Sequence, residues 1–224
     1  MILASAAIAS PPVCFARSRP AVPAAAIDAS ALPRDVALAL SNALPFLRCG
    51  EESAVHAFGR RLASAASAAE QVALAAITAD EARHAAWLEA LAAALPAPDR
   101  APQATAMAAF FRRLLTRDPA LHFARVAALD LAVCAILRPL VGADSALAAA
   151  PQVVAGLGSI RRDEARHVRV ARDCARRLAF SATRQRELDL AMRDELAALL
   201  APVRSSLSRL GINGFGSADA IRDA

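Results

Sequence analysis

The sequence predicts an all-α protein built on four long helices, and three observations carry that prediction. Alanine is by far the commonest of the 224 residues, while aromatic residues make up only 4%. Alanine is the best helix former and adds little to a strand, so thin and closely packed helices follow. From Gly50 onward apolar residues recur at intervals of three and four, and no alternating strand pattern competes.

The elements can be placed in order. Residues 1–33 are rich in Ala, Pro and Ser without a period, which predicts a poorly ordered arm. A short helix over Arg34–Ala43 is expected to stop at Pro45. A first long helix, about Gly50–Ala69, turns Glu51, Val55, Phe58, Leu62 and Ala65 inward. The second, about Glu70–Leu95, carries Leu74, Ile77, Glu81, His84, Leu88 and Leu91 on one stripe and ends before Pro96. A small amphipathic piece, Ala106–Leu115, lies within a connection long enough to travel along a bundle. Asp118-Pro119 is a helix start, with a capping side chain followed by proline in the first turn. That third helix has Phe123, Val126, Asp130, Cys134 and Leu137 inward and ends before Pro139. The fourth opens near Pro151 and buries Leu157, Ile160, Glu164, His167, Ala171, Cys174 and Leu178. A further C-terminal helix, about Thr183–Leu210, is interrupted at Pro202 and closed by Gly211. The helical body is thus 34–212, with a tail at 213–224.

Composition excludes several classes. All 26 basic residues are Arg, and they are interleaved with 21 acidic ones, giving a net charge of +5. That pattern reads as a solvated helix surface, so no nucleic-acid partner is expected. The four cysteines show no CxxC spacing and predict neither a zinc ribbon nor a disulfide framework. No run of 18 uncharged apolar residues suggests a membrane span; the nearest, Val141–Ile160, contains Asp144, Pro151 and three glycines. The first 16 residues are apolar but lack a basic start, so a cytoplasmic protein without a membrane anchor is expected. Tyrosine is absent, which excludes a tyrosyl radical or a tyrosine base.

The chemistry lies in a repeat. Asp-Glu-Ala-Arg-His occurs at Asp80–His84 and again at Asp163–His167. In each copy Glu and His are one helical turn apart on one face, and that face is the apolar one. An ionised carboxylate turned into a core is costly unless it is paired or bound to a metal. Each copy is also preceded by an inward carboxylate: Glu51 comes 30 residues before Glu81, and Asp130 comes 34 before Glu164. Thirteen or so residues up one helix, a short loop and the same number down return the chain to one level, roughly 20 Å below the turn. Glu51 is preferred over Glu52, which points about 100° away from the Val55–Phe58 stripe. Four carboxylates and two imidazoles at one height suit two Fe or Mn ions.

This pattern resembles the ferritin-like di-iron carboxylate superfamily, in which two helices supply one Glu each and two others supply Glu-x-x-His. The doubled Asp-Glu-x-Arg-His is similar to its oxygen-activating members: bacterial multicomponent monooxygenases, ribonucleotide reductase small subunits and amine N-oxygenases. The resemblance covers residues 51–167. It implies a ferritin-like four-helix bundle with an additional C-terminal helix. It also implies a metal site, which would be catalytic, of Glu51, Glu81, His84, Asp130, Glu164 and His167, holding two Fe ions, with Mn or mixed Mn/Fe as alternatives. In that family the Asp before each Glu, here Asp80 and Asp163, orients a ligand histidine from behind. The chain departs from the pattern at Asp130, where most members have Glu. It departs again at Ile160, where N-oxygenases carry an extra His.

The leading expectation is an oxidoreductase that activates O2 to oxidise a small organic substrate. Electrons would come from an external donor, because no dinucleotide fingerprint or cluster-binding Cys set is present. The alternatives are an iron-handling or peroxide-reducing protein of ferritin or rubrerythrin type, and a metal-poor scaffold serving a partner. A homodimer is compatible with any of these. Arg83 and Arg166 are expected in ion pairs around the site. His56, His122, Trp87, Cys134 and Cys174 are expected as structural or surface residues.

Overall fold

A computed structural model describes residues 27–62 and 64–213 of the chain. Within them the protein is a helical bundle with no strand. Its helices are α1 (Arg34–Leu62), α2 (Ala68–Ala93), α3 (Ala104–Leu114), α4 (Pro119–Leu137), α5 (Pro151–Arg177), α6 (Ala182–Leu199) and α7 (Arg204–Arg209). Short 3-10 turns at Arg138–Leu140 and Ala201–Val203 follow α4 and α6. Most of the arm expected at 1–33, and the tail from 214 onward, lie outside the described residues. Within 27–33, Ala29 and Leu32 are buried against the bundle.

One expectation fails at the start. The chain does not break at Pro45: α1 is a single helix of 29 residues with that proline inside it. Proline removes one backbone hydrogen bond, to Ser41, and costs about 3 kcal/mol in a helix interior. Leu40, Leu44, Phe46 and Leu47 are all buried around it, and each such burial contributes about 1.5–3 kcal/mol. Packing therefore outweighs the local breaker. The same stretch is anchored by Asn42, which donates to Asp99 Oδ1 (2.8 Å) and Ser206 Oγ (3.0 Å) and accepts from the Asp99 and Arg100 backbone N–H groups.

The other boundaries follow sequence chemistry. Ser67 caps α2 by accepting from Glu70 N at 3.1 Å, so the helix begins at Ala68 rather than Glu70. Asp118 caps α4 through Ala120 N and Leu121 N. α5 ends where Ala179 takes φ 63, and that turn leaves Leu178 at 42% exposure instead of on the buried stripe. Gly211 supplies the left-handed residue (φ 79) after α7.

The apolar residues form two clusters, one on either side of the acidic and histidine positions. α1 passes from the first cluster (Leu40, Leu44) to the second (Phe58), and α5 likewise from Leu157 to Ala171. α2 runs the other way, from Leu74 and Ile77 to Leu88 and Leu91, and so does α4, from Phe123 to Ile136. Hence α1 is antiparallel to α2, along which it packs, and α4 to α5, while α2 and α4 are parallel. A parallel pair needs a connection that returns the length of the bundle, and the segment bearing α3 provides it. α6 packs on α4.

The stretch Pro119–Leu140 is long and apolar enough to cross a membrane by length and composition alone. It lies before Val141–Ile160, the nearest candidate expected from the sequence. In the bundle 67% of that apolar window is buried, so its hydropathy is that of a helix enclosed by its neighbours.

Candidate metal centre

Each of the four long helices delivers an acidic side chain to the seam between the two apolar clusters. Glu51 comes from α1, Glu81 and His84 from α2, Asp130 from α4, and Glu164 and His167 from α5. All six are buried; Glu81 is 1% and His167 0% exposed. The stripe expected on α2 matches its buried face, with Asp80 in addition. Glu52 is only half-buried and lies outside the cluster.

The donor atoms fall into two overlapping groups. Glu51, Glu81, His84 and Glu164 form one, and Asp130, Glu164 and His167 the other; within each, one ligand atom per residue lies within 4.8 Å of the rest. Glu164 belongs to both. His84 Nδ1 is 3.4 Å from Glu51 Oε2 and 3.6 Å from both Glu81 Oε2 and Glu164 Oε1. His167 Nδ1 is 2.9 Å from Glu81 Oε1 and 3.7 Å from Glu164 Oε2.

The remaining letters of the repeated motif explain why the imidazoles face inward. His84 Nε2 meets Asp163 Oδ2 at 3.0 Å, and His167 Nε2 meets Asp80 Oδ2 at 3.4 Å. Each copy of the motif thus holds the histidine of the other. An ionised carboxylate only accepts, so each Nε2 carries a proton, and a ring that gives up its second proton to a cation would offer the Nδ1 lone pair to the cluster. The arginines close the arrangement: Arg83 reaches Asp80 (2.7 Å) and Asp163 (3.0 Å), while Arg166 pairs with Asp80 and reaches Asp163 at 3.2 Å.

Beyond these short distances to one another, the inward atoms lack partners. Glu51 Oε2, both Glu81 oxygens, His84 Nδ1, Asp130 Oδ2 and His167 Nδ1 are buried without a hydrogen bond. Buried polar atoms are almost always satisfied, so a convergent set of orphans on four helices fits a cation as the missing partner. Six carboxylates, counting Asp80 and Asp163, and two guanidiniums leave four negative charges in this region.

Without a cation, protons take its place. Burial first, and the neighbouring Glu81 charge second, push the Glu51 carboxyl well above the usual range. Burial and the Glu164 and Glu81 charges do the same to Asp130. Glu81 falls to about 2: its burial opposes ionisation, but the adjacent His167 and His84 rings prevail. Burial disfavours charge on His167, yet Glu164 and Glu81 push it up to about 11, and His84 is raised in the same way. In the metal-free protein the imidazolium pairing is therefore fully stabilising below pH 6.5 and is lost as pH rises toward the folded value. A cation must displace these protons, so its affinity should rise with pH. We expect about a tenfold gain per pH unit for each proton released, between pH 5 and 8, measurable by calorimetric titration at several pH values. An affinity independent of pH would contradict the proton-filled cluster.

The other singled-out residues are structural. His122 is buried and bonded through Nε2 to the Ala57 carbonyl (3.2 Å); burial and nearby arginines lower it to about 4. His56 is exposed. Cys134 faces the Arg161 carbonyl, and burial with the Glu164 and Asp130 charges pushes its thiol up to about 12.

Sequence reasoning missed the apolar wall of the site. A cavity of about 20 Å³ opens onto Glu51, Glu81, Asp130 and Glu164. Phe46 and Leu47 of α1, Leu129 and Val133 of α4, and Phe111 of α3 enclose it. The adjacent Phe110-Phe111 pair in the short amphipathic segment was the available signal.

No protein-family model, curated protein or solved structure matches this chain.

Proposed function

We propose that the chain is a ferritin-like di-iron carboxylate oxidoreductase that activates O2 to oxidise a small organic molecule. One observation carries this reading: two Glu-x-x-His helices and two further carboxylate helices converge on one buried donor set, most of whose inward atoms make no hydrogen bond. The helix order supports the ferritin-like reading, since two antiparallel pairs joined by a long crossover are the arrangement of that fold. Charge supports the number of ions, because two dications balance the four negative charges left by Arg83 and Arg166. Oxygen and imidazole donors suit Fe and Mn alike.

Bound ferrous ions would supply the electrons for O2 reduction. The chain's own residues supply the rest. Asp80 and Asp163 fix the tautomer of His167 and His84. Glu164, placed in both donor groups, and Glu81, which faces both histidines, would each help to hold both ions. Phe58 packs edge-on against His167 at 6.1 Å and keeps water from that side. A separate electron donor is needed for repeated turnover on an organic substrate.

The small volume of the cavity favours a second reading, in which peroxide or ferrous iron is the substrate and no organic molecule enters. Gel filtration bears on storage, because a cage assembly would support it and a monomer or dimer would not. The direct test loads the protein anaerobically with ferrous iron and records O2 consumption. The proposal expects uptake well above that of free iron at the same concentration; uptake equal to free iron would overturn it.

A further inference from the structure

The cavity beside the carboxylates has a wall that belongs to none of the metal-bearing helices. α3, carried by the long connection, is a helix of 11 residues whose buried face is Met107, Phe110, Phe111 and Leu114. Phe111 is fully buried, stacks on Phe46 at 5.8 Å and meets the edge of Phe110 at 5.0 Å. Of these α3 residues it alone lines the cavity. The wall it completes is apolar, and opposite it stand Glu51, Glu81, Asp130 and Glu164. A volume of about 20 Å³ accommodates one or two water-sized molecules.

We propose that Phe111 is the size-limiting residue of this site. With its ring in place the cavity admits a reactant of one or two non-hydrogen atoms, of the dioxygen or hydrogen peroxide class, and excludes a ring-sized organic molecule. The proposal rests on the site described above and favours its second reading, in which no organic molecule enters. The geometry supports it in two ways. Phe111 is packed between Phe46 and Phe110, which holds its ring against the cavity. Its truncation to alanine removes one whole phenyl ring, the volume of a benzene molecule, directly beside the existing cavity.

The test uses the full chain stripped of metal, so it does not depend on whether iron binds. Methyl NMR is recorded first under dioxygen pressure and then with benzene. In the parent protein dioxygen should broaden the Leu47, Leu129 and Val133 methyls, while benzene at millimolar concentration leaves them unmoved. In Phe111→Ala benzene should bind at least about tenfold more tightly than in the parent and show NOEs to those methyls. Met107→Ala removes a buried α3 side chain that does not line the cavity and should give no such NOEs. Benzene binding to the parent cavity, or its exclusion from a folded Phe111→Ala, overturns the proposal. If Phe111→Ala does not fold, the parent measurements decide: methyls that dioxygen does not reach also overturn it. A failure of metal to bind, with the cavity behaving as described, would count against the iron reading alone.

Discussion

Replacing Glu164 with alanine or glutamine should abolish metal binding at both positions, whereas Asp130→Ala and Glu51→Ala should each weaken only one. Glu164 appears in both donor groups and faces both histidines, as Glu81 does. Asp130 serves the group with His167, and Glu51 the group with His84. Losing a residue that merely orients a ligand already costs about 10–100-fold in affinity, so the loss of a shared ligand should exceed about 100-fold at each position. Glu164→Gln keeps the volume and separates this effect from a packing defect. The readout is metal per chain after dialysis, with circular dichroism to confirm folding. If Glu164→Gln retained one tightly held ion, the carboxylate would not be shared.

Gly156→Ala should destabilise the protein although alanine is the better helix former. A Cβ at Gly156 would lie 2.0 Å from the Trp87 ring, so the indole must move. Overpacking costs about 1–3 kcal/mol, and a rigid ring seated on helix backbone belongs at the upper end. Helix propensity returns about 1 kcal/mol, leaving a net loss of about 2 kcal/mol. For a chain of this size that lowers Tm by roughly 4–8 °C. The effect should reach the site as well, because Trp87 and Gly156 set the separation of α2 and α5, which carry the two copies of the motif. Trp87→Leu in the Gly156→Ala background should recover much of the stability, as coupled neighbours do. A Gly156→Ala protein that melts higher than the parent would show that the indole yields freely.

Much of the fold was legible because its signals are periodic. α2 carries an inward stripe every third or fourth residue, and its buried face reproduces that stripe. The boundary at Pro45 was not legible. A proline reads as a break locally, and only the burial of its neighbours on α1 shows why the helix continues. The outer end of α5 failed for a similar reason, since the turn at Ala179 releases Leu178 from the stripe.

Of the candidate site, the six donors could be read because each carboxylate falls on an apolar face, where a solvated charge is out of place. Spacing along two helical hairpins then brought Glu51 to Glu81 and Asp130 to Glu164. The exchange of Asp80 and Asp163 between the two histidines was not fixed by spacing, because it depends on how α2 faces α5. The wall at Phe111 was hidden for another reason. An aromatic pair on a short amphipathic helix reads as ordinary core, and only the tertiary arrangement sets it against the carboxylates.

As proposed, the buried cluster is a two-ion centre. An anaerobic titration with ferrous iron, followed by dialysis and metal analysis, tests it most directly. Saturation at two ions per chain, retained through dialysis and lost in Glu164→Gln, is the predicted result. Binding that never reaches one ion per chain, or that dialysis removes completely, would contradict it.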